Sequence, residues 1–387
     1  MGKARLSGRI ALSAPINLAD TLKGGQTFRF RKIDDQPSFC GVYKGTLLEL
    51  TEPGPSSEIL YQVHGFSPGR FGELKAFRRF EMLQAEVERL IKEYLCIDLN
   101  VDELKTIVNA ASNNVELHSP TAFHVRVLAQ ERFETLIAFI TSANNNIERI
   151  TKLLGKLCST FGEEIYPLEF DDKGRFRLLD EGCPIFRSTH ENFSHAFPTA
   201  RRIWKLGGES PEKLSTTLRE MGFGYRAKYI AKTVQILAED EGHPFYADYD
   251  RNSLEEYEKC TTMLQTLQGV GKKVADCIAL QGFQFGCAVP IDVHIRRISI
   301  NEFRVAGFTK LKLDRALTGT DYRIIADFYR TTFGHHAGLV QQVMFVYSLH
   351  RSKASTHVAL KPEKEAPKRK LAPTDAKDTL RRRTRRN

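Results

Sequence analysis

The sequence predicts an α+β protein: an antiparallel sheet first, a helical half second, and a basic tail that cannot order itself. Two changes of pattern and one of composition carry this. Short alternating runs broken by turn residues fill residues 5 to about 118, helical periodicity dominates from about Phe133, and large apolar residues nearly vanish after Lys361. With 387 residues the chain can bury a substantial core in two or three structural units.

The alternating runs are Arg9–Leu12, Thr27–Phe30, Phe39–Tyr43, Leu47–Leu50 and Ile59–Val63, spaced as in an antiparallel sheet. Helical spacing enters at Ala85–Leu95 and continues through Phe133–Ser142, Ile147–Phe161, Ala227–Glu239, Ser253–Leu267 and Lys273–Leu280. The chain therefore divides into a β-rich part at 5–118, a helical part at 119–357 and a tail at 358–387, with no internal repeat.

Composition narrows the partners. The seven cysteines are scattered, without a Cys-x-x-Cys pair or a His partner at zinc spacing, so they read as free thiols in a reducing compartment, with no metal expected. No apolar run is long enough to cross a bilayer. Of the net charge of +10, the segment Lys361–Asn387 carries +7, from eleven Lys/Arg and four Asp/Glu. Lys368-Arg369-Lys370 and Arg381–Arg386 suit nuclear import or nonspecific DNA contact; a merely solubilising tail fits the composition equally. Lys3, Arg5 and Arg9 without an acid before Ala19 leave a mitochondrial address as the lesser alternative.

The stretch Leu264–Ile298 carries the chemistry. Gly269 and Gly271 bracket Val270 and permit a tight turn between two helices (264–282), and the amides that follow point outward at a helix start, where an anion is attracted. Lys273 sits in that first turn, where the helix dipole disfavours an ammonium ion. It can bind an anion, act as an amine nucleophile with a lowered pKa, or simply pair on the surface with Asp276. Nineteen positions on, Pro290-Ile291-Asp292-Val293-His294 sets Asp292 at the N-cap of another helix. A carboxylate held there by amides stays ionised and can stabilise positive charge on a sugar ring.

Together, Gly-Val-Gly-x-Lys-Val-Ala-Asp-Cys (269–277) and Val-Pro-Ile-Asp-Val-His (289–294) resemble the helix-hairpin-helix GPD glycosylases, and specifically the eukaryotic 8-oxoguanine DNA glycosylases. Further segments are similar in consistent order over roughly residues 8 to 355: Gly24–Arg29, Ser142–Arg149, Gly222–Arg226 and Gly338–Phe345. The resemblance implies an antiparallel β-sheet domain packed on a helical glycosylase core. It also implies a bifunctional glycosylase and lyase that flips 8-oxoguanine out of double-stranded DNA opposite cytosine, as a monomer and without an organic cofactor.

It assigns roles as well. Lys273 would be the nucleophile on the anomeric carbon, and Asp292 the stabiliser of an oxocarbenium-like transition state. Gly25 would accept the N7 hydrogen that 8-oxoguanine has and guanine lacks. Cys277 and Phe345 would sandwich the base, Gln341 would bond its Watson–Crick edge, and Pro290 and Asp292 would complete the pocket. Asn144 would fill the vacated stack, Tyr225 would wedge into it, and Arg149 and Arg226 would hold the orphaned cytosine. Gly269, Gly271 and His294 would meet the phosphates, and the main-chain carbonyls of Gln265, Leu267 and Val270 would suit a monovalent cation. Gln268 and Phe30 depart from the family pattern, which usually has proline and tryptophan there, while Arg296 and Arg297 add positive charge that would strengthen backbone binding.

Taken one by one, these residues have plainer readings: loop asparagines, a solvated Tyr-Arg pair, a core phenylalanine. Their joint order raises the functional reading. Glycosylases of the same superfamily with an iron–sulfur cluster carry four cysteines after the catalytic aspartate, and this chain has none beyond Cys287. A noncatalytic DNA-binding module is the remaining alternative, and base release from a lesion duplex separates the two.

Overall fold

A computed structural model describes residues 6–358, apart from 53–56, 76, 78, 112–116, 120, 172–175, 180–193, 304–312, 314 and 315. The basic tail beyond Val358 and Cys183 lie outside the described residues. One compact unit extends to Leu349, and a second comprises His350 onward.

The alternating runs form the sheet. Strands β1 (Ser7–Ala11), β2 (Phe30–Lys32), β3 (Ser38–Tyr43), β4 (Thr46–Thr51) and β5 (Glu58–Phe66) pair antiparallel in the order β2-β3-β4-β5. β1 lies along the first half of β5 with Ser7 opposite Gln62. In β5 the period of two is visible directly: Ile59, Tyr61 and Val63 are buried while Leu60 and Gln62 are not. All six β3 residues are buried, because Phe39 and Tyr43 belong to the sheet's main core while Cys40 and Val42 pack with Leu47 and Ile165.

Two outcomes differ from the sequence reading. Thr27–Phe30 is not a strand until Phe30: the buried Gln26 amide donates to the carbonyls of Thr21 (3.2 Å) and Arg126 (2.7 Å) and turns the chain before it can pair. The sheet also recruits β6 (Tyr166–Phe170) and β7 (Phe176–Leu178) from the helical part, β6 pairing Gly65 and Phe66 beyond the end of β1.

Short helices α1 (Leu18–Lys23) and α2 (Pro68–Leu74) accompany the sheet. Helix α3 (Phe80–Leu95) packs on it with Leu83, Val87, Leu90, Ile91 and Tyr94, and Tyr94 stacks on Phe30 at 5.6 Å between ring centres. Helix α4 (Val101–Ala111) follows. The helical part is built around α5 (Arg132–Ser142), buried from Phe133 to Thr141 and therefore central. Around it lie α6 (Ile147–Phe161), α7 (Ala200–Leu206), α8 (Pro211–Glu220), α9 (Arg226–Glu239), α10 (Leu254–Thr266) and α11 (Lys272–Gln281). Helices α12 (Val293–Glu302), α13 (Gly319–Phe333) and α14 (Ala337–Val358) complete the described chain. Among the described residues no helix is long and apolar enough to cross a membrane.

One close approach fixes α14 to the segment after α11. A Cβ on Gly286 would come within 2.0 Å of the His335 carbonyl oxygen, and Gly338 N–H donates to the Gly286 carbonyl at 2.8 Å. Gly286→Ala must push the two backbones apart, with an expected loss of about 1–3 kcal/mol of stability in urea unfolding; an unchanged midpoint contradicts this packing.

Candidate active site

The two helices α10 and α11 meet at a turn from Leu267 to Gly271 in which Val270 N–H donates to the Leu267 carbonyl at 3.2 Å. Gly269 has φ +86°, and a Cβ there would touch Tyr229 and Ile140 at 3.0–3.2 Å, so the turn needs glycine for conformation and for space. Gly271 caps α11 with open space beside it, leaving the helix-start amides accessible. The Gln268 carbonyl accepts the Thr233 hydroxyl at 3.4 Å, which attaches the turn to α9.

The adjacent lysines at this helix start part company. Lys272 lies 4.7 Å from the centre of the Tyr322 ring, and burial lowers its pKa. Lys273 turns the other way, 5.5 Å from the Phe139 ring, toward Cys277 and Asp292. Its pKa is held above the ordinary lysine value, first by Cys277 one turn along and then by Asp292, with burial opposing. In the DNA-free protein the direction is therefore opposite to the lowered pKa that a nucleophilic amine would want: Cys277, in its thiolate form, and the Asp292 carboxylate together outweigh desolvation. The Cys277 thiol is itself pushed up to about 11 by burial, with Lys273 working against that rise.

Asp292 caps α12 as the sequence predicts, Oδ1 accepting N–H from His294 (2.9 Å) and Ile295 (2.8 Å). Among the described residues Oδ2 takes no hydrogen bond, so one oxygen is fixed by the helix and the other remains for chemistry.

The paired reading of Lys273 with Asp276 fails. Asp276 is buried, its oxygens accepting the hydroxyls of Tyr257 and Tyr322 at 2.5 Å each. Arg330 donates to the Tyr257 hydroxyl at 2.7 Å and to the Cys287 carbonyl at 3.0 Å. The Tyr322 oxygen also accepts Ile291 N–H at 3.1 Å, and so ties α11 to the loop through buried Pro290 that ends in Asp292. Sequence reasoning missed these positioning residues; the one local sign was an aspartate three residues from the lysine.

A pocket wall forms from opposite ends of the chain. Gly25 has φ +74°, and a Cβ there would meet the Phe345 ring at 3.3 Å. The preceding Gly24 carbonyl accepts the Gln342 amide at 2.9 Å, which pins this loop to α14. His294 meets Phe345 edge-on at 5.9 Å between ring centres. Gln341 is buried, and its Oε1 has no hydrogen-bond partner among the described residues, a costly arrangement unless a ligand donor completes it.

The remaining predicted residues form a second surface. Exposed Asn144 adopts a left-handed conformation (φ +50°) just before α6. Tyr225, 52% exposed, donates to the Ala143 carbonyl at 3.2 Å, and Arg149 donates to the Gly222 carbonyl at 3.2 Å, so the 142–149 and 222–226 loops are laced together. Arg226 is buried, with its donors on the carbonyls of Ala143 and Asn144, and it shapes the loops rather than presenting a free cation. Arg296, expected beside the DNA, is buried because it shares the inward face of α12 with Ser299; Arg297 is exposed.

Two consecutive family models match this chain: the 8-oxoguanine DNA glycosylase N-terminal domain over residues 9–136 and the HhH-GPD superfamily base excision DNA repair protein over residues 137–319. The chain is 28% identical to an N-glycosylase/DNA lyase of Saccharomyces cerevisiae, over 90% of this chain and 88% of that one. It is 29% identical to N-glycosylase/DNA lyase OGG1 of Arabidopsis thaliana, over 87% and 79% respectively. In fold it is similar to the 8-oxoguanine glycosylase/lyase of Clostridium acetobutylicum solved with double-stranded DNA containing cytosine opposite 8-oxoG. That match has a TM-score of 0.60 and 23% identity, covering 87% of this chain and 93% of that one.

Tyr322→Phe strands Asp276 Oδ2 and Ile291 N–H together. The expected loss is about 1–3 kcal/mol in denaturant unfolding, and a neutral substitution would show that the buried carboxylate does not organise the loop.

Proposed function

This chain belongs to the HhH-GPD superfamily of base excision DNA repair proteins, in its 8-oxoguanine DNA glycosylase branch, and we propose on that premise how its residues do the work. It is a DNA glycosylase and AP lyase that removes 8-oxoguanine opposite cytosine from double-stranded DNA. The observation that carries this reading is the convergence of Lys273 and Asp292 next to Cys277, with Gly25, Gln341 and Phe345 contributed by distant segments.

The extruded base enters between Cys277 and Phe345, beside Pro290. The Gly25 carbonyl accepts the N7 hydrogen of 8-oxoguanine; guanine presents a lone pair there and leaves a buried acceptor unpaired. The orphaned Gln341 Oε1 accepts a hydrogen from the Watson–Crick edge, which supplies the partner it lacks. Outside the pocket, Asn144 and Tyr225 occupy the stack, Arg149 faces the unpaired cytosine within a frame built by Arg226, and the amides near Gly269 and Gly271, with His294, hold phosphate.

Chemistry starts when Lys273 loses its proton. The amine nitrogen bonds to the anomeric carbon as the carbon–nitrogen bond to the base breaks, the electron pair leaving with the base, which is then protonated. Asp292 stabilises the positive charge spread over sugar carbon and ring oxygen in between. Ring opening gives an imine, and loss of the neighbouring carbon-bound proton expels the 3′ phosphate, nicking the strand. The residues present ask for no organic cofactor; a monovalent cation at the Gln265, Leu267 and Val270 carbonyls would neutralise charge beside the phosphate without taking part. The protein acts as a monomer, and the Arg/Lys clusters of the tail direct it to the nucleus, with mitochondria as a second address.

Borohydride added during turnover of a duplex with one 8-oxoguanine opposite cytosine should crosslink wild-type protein to DNA. Lys273→Gln should abolish the crosslink and cut base release at least a thousandfold; base release without any crosslink in the wild type refutes the lysine mechanism, and binding without release favours the noncatalytic module. The raised Lys273 pKa gives a sign for pH. The neutral amine is scarce at neutral pH and grows as pH rises, so single-turnover rate climbs toward the alkaline side. Asp292→Asn removes the carboxylate that helps to raise that pKa, so the climbing limb of its residual activity moves to lower pH even though its maximal rate falls. A limb that stays in place, or moves to higher pH, contradicts this electrostatic account.

A further inference from the structure

Away from the lysine, three ligand-type side chains converge that no sequence spacing could reveal. Glu103 projects from the first turn of α4, while His335 and His336 occupy the 3-10 turn Gly334–His336 between α13 and α14. One ligand atom from each lies within 4.8 Å of the other two. The histidine rings sit 3.9 Å apart between centres, and none of the three takes part in the lesion chemistry described above.

A second observation points to a ligand. His336 is 8% exposed and its Nε2, fully shielded from solvent, has no hydrogen-bond partner among the described residues. A buried imidazole nitrogen is normally satisfied, so this one calls for a donor or a metal. Exposed Glu103 supplies the negative charge that a bound cation would meet.

The turn is held before any ion arrives. Gly334 bends it with φ +56°, and the close packing of Gly286 under the His335 carbonyl, with the Gly338–Gly286 bond, fixes its backbone. α4 packs against α13 through Val101, Leu104 and Val108, so Glu103 approaches from a helix that is likewise anchored. Tetrahedral coordination with bonds of about 2 Å brings ligand atoms to roughly 3.3 Å from one another. Closing from 4.8 Å needs only rotation of Glu103 and His335, both exposed.

We propose that Glu103, His335 and His336 form a site for a divalent transition-metal ion of the zinc type, completed by water, which staples α4 to the start of α14. Two imidazoles and one carboxylate match zinc and its neighbours; magnesium or calcium would call for more oxygen ligands. The sequence reading expected no metal because it looked for cysteine and histidine at short spacing. Here Glu103 and the histidines are separated by most of the chain, and the fold alone joins them. Because α14 carries Gln341 and Phe345 beyond the turn, the ion stiffens the end of the helix from which the pocket wall is built.

The test is cobalt(II) titration of the full-length protein in a non-thiol reductant, read by visible absorption and by thermal unfolding. One equivalent should bind with nitrogen- and oxygen-ligated d–d bands and raise the unfolding midpoint. Glu103→Gln and His335→Gln, exposed changes whose folding is checked by an unaltered midpoint in chelator, should each weaken binding at least tenfold. His336→Asn should do the same where it folds. Absence of stoichiometric binding, a thiolate charge-transfer band, or affinity unchanged in both exposed variants overturns the proposal. Crosslinking of Lys273 to lesion DNA is a separate readout, so failure here leaves the assigned reaction standing.

Discussion

The structure around Lys273 depends on one buried carboxylate. Asp276 on α11 is buried and, among the described residues, meets no cation directly; Tyr257 from α10 and Tyr322 from α13 satisfy it, with Arg330 behind the first tyrosine. Burial raises its pKa, with the tyrosine hydroxyls and Arg330 acting against that rise. Desolvating such a group is costly, and the cost is recovered only when all partners stand in place. The same Tyr322 oxygen accepts the Ile291 amide, so the network that satisfies Asp276 also sets the loop from which Asp292 caps α12. Lys273 lies one turn before Cys277 on that helix. Its distance from Asp292 therefore follows from α11, α13 and the loop being locked as one body.

Electrostatics within this frame are divided between neighbours in sequence. Lys272 faces the Tyr322 side and is pushed toward neutrality by burial, whereas Lys273 faces Cys277 and Asp292 and is kept charged. An ammonium ion beside a carboxylate suits the approach of a polyanion and protects the amine until it is needed. The Asp292 carboxylate that helps to keep the ammonium charged is also the group that the proposed mechanism sets against the cationic sugar.

The pocket and the DNA-facing loops show a second use of long-range closure. Gly24 and Gly25 lie near the start of the chain, Gln341, Gln342 and Phe345 near the end of the compact unit, and the Gln342–Gly24 bond joins them. The sheet holds the first segment in position. Similarly, the carbonyls of Ala143 and Asn144 are gathered by Tyr225 and Arg226 from a loop far along the chain. Arg226 is consumed in building that surface, which a motif comparison would assign to ligand contact.

The sequence by itself determined the elements whose physics is local. The short apolar runs of β3 and β4, the alternation in β5, the amphipathic spacing of α6 and α9, the glycine turn at 269–271 and the cap at Asp292 are each encoded within a few residues. Helices α1, α2 and α7 escaped periodicity because they span about two turns, and the longer α4, α8 and α13 escaped it as well, although Asn17, Ser67-Pro68, Thr199 and Ser210-Pro211 mark the starts of α1, α2, α7 and α8 and do cap them. Tertiary structure alone decided what depends on neighbours distant in sequence. It set the sign of the Lys273 pKa shift, buried Asp276 between tyrosines, turned Arg296 inward, added β6 and β7 to the sheet, and brought Glu103 to the two histidines. Desolvation and the Coulomb interaction act through space, so no pattern along the chain can fix them before the chain has closed.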